Sequence, residues 1–317
     1  MIRVTLRQLE YFAAAARLGG AARAAESLNV SQPSISKAIA DLEALWGERL
    51  FVRLHARGLD LTGAGAARYR QARALLQQAS QLAGPRTGVL SGLVRVGCLS
   101  TLGPRYLPAI LARLQHDHPE VEVRFEEGDT EALLQRLARG SLDVALLYDL
   151  GISHDVRIEP LAELWPYALL PWGHRLAAYK TVPIAELAKE SLVMINLRHS
   201  REYFLSLFRA AGLSPTVVRE SASLEMVRAL VANGLGASLL TTRPRRDVSY
   251  DGKRIACRRL QGPLTPQIVG LAYAADDDRQ NGLVEAFART AQACVSAVAD
   301  PLIGRAPPHR GRASHRD

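Results

Sequence analysis

Thiols are scarce in this chain. Three cysteines, Cys98, Cys257 and Cys294, stand far apart in 317 residues, odd in number and without CxxC spacing. That pattern excludes a disulfide framework and a zinc-finger type of site, and suggests buried thiols. The histidines do not make up the lack: the His116-x-His118 pair supplies two ligands at most, and a solvated helix end explains it better. No apolar run approaches the ~18 residues needed to cross a bilayer, and "MIRVTLRQLE" has no apolar stretch after its charges, as a signal peptide would. These absences lead to the expectation of a cytoplasmic protein without a membrane partner. Catalytic signatures are missing too. There is no GxSxG, HExxH or GxxxxGK[ST], and "GLGASL" at Gly234 fails as GxGxxG because Leu239 replaces the last glycine. Its two glycines suit a tight helix-to-strand turn. Asp143, Asp149 and Glu163 have no spacing that pairs them as acid and base, so no enzyme, metal or cofactor is expected.

What is present is unevenly placed charge. Residues 1–92 carry 12 Lys/Arg against 6 Asp/Glu, residues 93–300 carry 24 of each, and residues 301–317 carry 4 against 1. A neutral body with a basic head fits electrostatic attraction of the head to polyanions. With 48% apolar residues the chain can bury sizeable cores, and its length points to two domains.

The stretch Thr5 to Thr62 is the most informative. Thr5 and Gln8 form a capping box before Leu6, Leu9, Phe12 and Ala13. Ala24, Ala25 and Leu28 recur at one-turn spacing, and Asn29 tolerates the left-handed backbone that ends a helix. Ser31 then stands as an N-cap, Pro33 falls in the first turn, and Ile35, Ile39 and Leu42 line one face. The opposite face offers Gln32, Ser34, Ser36 and Lys37, with no carboxylate until Asp41 and Glu43. Two helices joined by a short turn, the second with such a face, have the geometry that enters a major groove. "RLFVRLHARGLDLT" adds a hairpin with Arg53 and Arg57 on its rim.

"AAESLNVSQPSISKAIADLE", "RLFVR" and "RGLDLTGAG" make residues 5–62 resemble the winged helix-turn-helix of the LysR-type transcriptional regulators, and the order of elements matches to about residue 295. Asp60 departs from the basic or neutral residue common there. The resemblance implies an all-α-type winged helix-turn-helix domain at 1–62, a linker/dimerisation helix at 63–84, a hinge at 85–92 and a two-lobed, periplasmic-binding-protein-like α/β effector domain at 93–300, with RNA polymerase among the partners. A basic tail, 301–317, is expected to be disordered. In the linker helix, Ala72 and Ala79, like Leu75 and Leu82, lie seven apart as in a coiled-coil seam, although Arg68 interrupts it, so a homodimer is expected and a homotetramer remains open. A helix lying on its own domain is the alternative.

Beyond the hinge, "LVRVGC", "VEVRFEE" and "LDVALLY" alternate with amphipathic helices, which implies parallel strands joined by right-handed crossovers. The pattern repeats with "WPYALLP", "SLVMI", "TVVRE" and "GASLLT", then "RIACRRL", "QIVGLAYA" and a last helix around Leu283 to Val295. In such folds ligands sit beyond the carboxyl ends of strands, where helix N-termini present unpaired N–H groups. Ser100 and Thr101 follow the first body strand, Thr130 opens the next helix and Tyr148 follows the third strand. Asn196, Arg198 and Ser200 lead into a helix of the second lobe, and Ser221 and Ser223 start another. Each serine or threonine could also simply cap its own helix. Taken together they suit a small organic anion between the lobes. The expected function is a regulator reading an inverted-repeat operator in double-stranded DNA through Ser31, Gln32, Pro33, Ser34, Ser36 and Lys37, with Arg53 and Arg57 on the backbone or in the minor groove. An architectural DNA protein whose body only oligomerises is the main alternative.

Overall fold

A computed structural model describes residues 3–54, 58–83, 89–149, 156–274 and 282–297. Helix α1 (Leu6–Leu18) starts with the expected capping box: Thr5 Oγ1 accepts the Gln8 N–H, and the Gln8 side chain accepts the Thr5 N–H. After α2 (Ala21–Ser27), Asn29 turns the chain with φ 53°, the one non-glycine residue of positive φ among the described residues. Ser31 caps α3 (Gln32–Trp46), its Oγ accepting the Ser34 N–H at 3.3 Å. Strands β1 (Phe51–Leu54) and β2 (Gly58–Leu61) form an antiparallel hairpin, tied to the end of α1 by the Leu59 N–H on Gly19 O at 3.0 Å.

Two small cores hold this head together. Alanines let the helices approach in one, where Ala15, Ala24 and Ala25 meet Ile35 and Ile39. Phe12 centres the other, its ring edge-to-face with Trp46 (6.3 Å), Phe51 (5.6 Å) and Tyr69 (6.3 Å). Tyr69 belongs to α4 (Gly63–Ala83), and Ala72 is buried beside it. One residue of the expected seam is thus turned to the head. Ala72 is taken by the chain's own head and Arg68 stacks over Trp46 at 4.8 Å, leaving Leu75 and Leu82 exposed at 51% and 88%.

The C-terminal region opens with β3 (Gly92–Leu99), α5 (Gly103–Asp117), β4 (Val121–Gly128), α6 (Thr130–Ala138) and β5 (Val144–Asp149). β3 lies between β4 and β5 and parallel to both, the expected βαβαβ unit. There follow β6 (Val156–Leu164), β7 (Tyr167–Pro171), β8 (Thr181–Pro183), α7 (Ile184–Leu187), β9 (Ser191–Ile195), α8 (Arg198–Ala210), β10 (Thr216–Ser221), α9 (Leu224–Ala232), β11 (Ser238–Leu240), β12 (Ile255–Gln261), β13 (Gln267–Ala274) and α10 (Gly282–Ala297). One sheet has the order β4-β3-β5-β13-β6, a second β11-β7-β12-β8, and β9 pairs with β10.

The expectation of parallel strands throughout is corrected in the second sheet, where β7 runs antiparallel to both β11 and β12. β11 and β12, each antiparallel to β7, run in the same direction on either side of it, so the alternation of strands and helices along the chain does not fix strand direction here. Gly236, with φ 145°, serves the predicted turn: a Cβ there would lie 2.6 Å from Ser191 O. The described residues form two compact units, one within Met1–Leu147, Gly151–Glu159 and Leu271–Ala291, the other within Tyr148–Leu150, Pro160–Gly270 and Gln292–Asp317. Among them no helix is long and apolar enough to cross a membrane. The predicted tail, 301–317, and the start of the predicted hinge lie outside the described residues.

Candidate functional site

Helix α3 divides cleanly by burial. Ile35, Ala38, Ile39 and Leu42 are buried, whereas Gln32, Pro33, Ser34, Ser36 and Lys37 are exposed. Ser31 and Ser34 spend part of their hydrogen-bonding capacity on each other, Oγ to Oγ at 2.8 Å, which locks the first turn. Glu43 is drawn away from the polar face: its Oε1 accepts the Leu50 N–H at 2.7 Å and its Oε2 faces Arg49 at 3.4 Å. The exposed face thus carries an amide, hydroxyls and one ammonium, the groups that bond base edges and phosphates in a major groove.

Arg53 lies opposite Leu59 in the hairpin, but its side chain and the whole of Arg57 lie outside the described residues. The unusual Asp60 is accounted for. Its carboxylate pairs with Arg139, just beyond α6, at 3.4 Å.

In the first unit, β3 and β4 end side by side, Leu99 opposite Gly128. Ser100 follows exposed, and Thr101 is buried with an Oγ1 that has no partner among the described residues. Helix α5 begins there without a side-chain cap. Thr130 is also buried, but it does not cap its helix: Asp129 does, accepting the Ala132 N–H at 2.8 Å. The two threonines stand at the carboxyl ends of adjacent parallel strands, where the sequence placed them.

The second unit departs further from expectation. Tyr148 lies inside β5 rather than after it, and its hydroxyl meets Thr241 Oγ1 at 3.3 Å. Thr241 in turn donates to Gln267 Oε1 at 3.0 Å, and Gln267 Nε2 is buried with no partner among the described residues. Thr241 and Gln267 escaped the sequence reading; the available signal was the apolar run "SLLTT" ending in two hydroxyls. Nearby, Tyr203 donates to Thr265 O at 2.7 Å, and burial, reinforced by Tyr148, pushes its phenol above the ordinary range. Ser200 is no helix start: α8 begins at Arg198, and Ser200 is buried in its first turn. Asn196 and Arg198 are exposed at that start, while Arg201 is engaged by Glu220 at 2.8 Å. Ser221 and Ser223 serve locally, accepting the N–H groups of Ser223 (3.2 Å) and Met226 (3.3 Å). Among the described residues no cluster of three or more His, Cys, Asp or Glu side chains could hold a metal.

Comparison with known proteins agrees with this organisation. Residues 6–66 match the family described as "Bacterial regulatory helix-turn-helix protein, lysR family", and residues 87–294 match "LysR substrate binding domain". The chain is 33% identical over 245 residues to the "DNA-binding transcriptional dual regulator OxyR" of Escherichia coli K12, covering 75% of this chain and 79% of that one. Among solved structures it is similar to HinK, a LysR family transcriptional regulator from Pseudomonas aeruginosa, at 35% identity and TM-score 0.63, over 92% of this chain and 99% of that one. A full-length OxyR variant from Pseudomonas aeruginosa aligns with TM-score 0.68 at 27% identity, over the same shares. HinK and the Escherichia coli OxyR are both described as transcriptional regulators. With an exposed polar face on α3 beside a β-hairpin, a C-terminal α/β region, and both parts matched to one family, the chain belongs to the LysR family of DNA-binding transcriptional regulators.

Proposed function

We propose that this regulator reads an inverted-repeat operator as a homo-oligomer and changes its grip when a small organic anion binds at the strand ends of the C-terminal region. Gln32 addresses an adenine edge, Ser36 and Lys37 a base edge or phosphate, and Arg53 and Arg57 the backbone beside the hairpin. One observation carries the DNA reading: Gln32, Pro33, Ser34, Ser36 and Lys37 are all exposed while the opposite face of α3 is buried. Leu75 and Leu82, exposed on α4, supply the apolar surface for a second copy. The effector reading rests on Thr101, buried with an unpaired hydroxyl beside the uncapped start of α5, where a carboxylate would accept both hydroxyl and backbone hydrogen bonds.

Some relatives are described as hydrogen peroxide-inducible activators. Reaction with peroxide needs a thiolate, and here burial pushes the Cys98 and Cys257 thiols up to about 12. These two buried thiols are therefore poorly suited to oxidation, whereas Cys294 is half-buried. Duplex affinity measured across salt concentrations tests the DNA reading: log K should fall with log salt at a slope near −0.9 per neutralised phosphate. Affinity indifferent to salt would refute it. Calorimetric titration in which only apolar or cationic compounds bind would refute the anion.

A further inference from the structure

Helix α4 does two things at once. One side enters the core of the head through Tyr69 and Ala72. Beside it, Arg73 grips both carboxylate oxygens of Asp143, Nη1 to Oδ1 at 2.8 Å and Nη2 to Oδ2 at 3.2 Å, and Nη1 also donates to Gly140 O at 3.0 Å. Arg70 donates to Ala138 O at 2.7 Å. From the other direction Asp143 Oδ2 accepts the Arg95 N–H of β3 at 2.7 Å, so the carboxylate joins the linker helix to the first sheet. The Arg73 and Asp143 side chains are only 16% and 11% exposed, which leaves little water to screen them and makes loss of either partner costly.

The turn between α6 and β5 is shaped to receive this helix. Gly140 adopts φ +68°, and a Cβ there would lie 2.9 Å from Arg70 Cγ and 3.1 Å from Tyr69 Cδ1. Its neighbour Arg139 reaches the hairpin through Asp60. Helix α6 itself spans roughly 13.5 Å, at 1.5 Å per residue, from Thr130 at the end of β4 to this turn. Linker helix and hairpin thus both contact the C-terminal end of one short helix, whose first residue, Thr130, lies at the end of β4.

We infer that the α6–β5 turn is the seat that positions the DNA-binding head, with Asp143 and Gly140 as positioning residues acting through α4. Neither residue belongs to the face that meets DNA; they set the orientation of α3 and the hairpin relative to the first sheet. The inference rests on the DNA reading above, and the test separates that reading's failure from its own.

The full-length chain is bound to duplexes carrying two half-sites, either at their preferred spacing or with about half a helical turn, ~5 bp, inserted between them. For Asp143→Asn, the preference for the correct spacing should fall at least about fivefold, the lower range of measured couplings between sites, while base preference within a half-site and the salt slope stay as in the parent. Should Asp143→Asn fail to fold, Arg73→Lys, which keeps the charge and loses the two-pronged grip, should show the same loss. An unchanged spacing preference in a folded variant overturns the inference. A parent chain that shows no salt-dependent duplex binding removes the DNA reading first, and the inference falls with it.

Discussion

Replacing Gly65 by alanine puts the packing of the head on the linker helix to a quantitative test. An added Cβ would lie 2.0 Å from Leu50 O and 2.9 Å from Leu50 C, well inside contact distance. The obstructing carbonyl cannot swing aside freely, because it accepts the Thr62 N–H at 3.0 Å, and Thr62 Oγ1 in turn bonds Arg49 O at 2.6 Å and accepts the Gly65 N–H at 2.8 Å. Overpacking of this kind costs about 1–3 kcal/mol, and more when backbone must move. Alanine returns up to about 1 kcal/mol through helix propensity, so a net destabilisation of about 1–2 kcal/mol is expected. Gly63, two residues earlier in the same turn, supplies the control: nothing lies within 4 Å of its added Cβ. Gly63→Ala should be neutral or stabilising by some tenths of a kcal/mol. Urea midpoints at constant m-value, with hydrogen exchange of the α1 to α3 amides as the local readout, compare the two. Equal midpoints for both variants would refute the claim that Gly65 is required for close approach.

Two further outcomes follow from the cores. Phe12→Ala removes a fully buried ring in contact with Trp46, Phe51 and Tyr69, and should cost about 3–5 kcal/mol of stability in the head, read by urea unfolding. Cys98 and Cys257 bind their protons more tightly folded, with pKa near 12 against an ordinary value of 9.0. Their contribution is fully present below pH 9 and is lost as pH rises toward 12, at a slope of about 1.4 kcal/mol per pH unit and thiol. Between pH 8.5 and 10 the parent should lose roughly 2 kcal/mol more than a Cys98→Ala/Cys257→Ala variant; parallel stability curves would contradict this.

The head was legible in the sequence because each of its signals is local. A capping box, a left-handed asparagine and a serine followed by proline each act within a few residues, and the structure has all of them where the residues lie. The second sheet was less legible: whether β7 meets β11 and β12 antiparallel depends on connections that cross many residues. Long-range pairs were invisible for the same reason. Asp143 was a lone carboxylate until Arg73, 70 residues away, met it, and Tyr148 bonds Thr241, 93 residues away, in the chain that ends at Gln267. Ala72 misled for a different reason. Seven-residue spacing describes a helix face equally well whether a second copy or the chain's own head covers it.

Selection of preferred duplexes from a randomised pool, with the parent chain and with Gln32→Ala side by side, tests the central claim most directly. If the exposed face of α3 lies against base edges, the parent should select an adenine at one position of each half-site. Gln32→Ala should lose that preference alone, by about 1–3 kcal/mol. An unaltered selection profile in the folded variant would mean that this face of α3 does not read DNA.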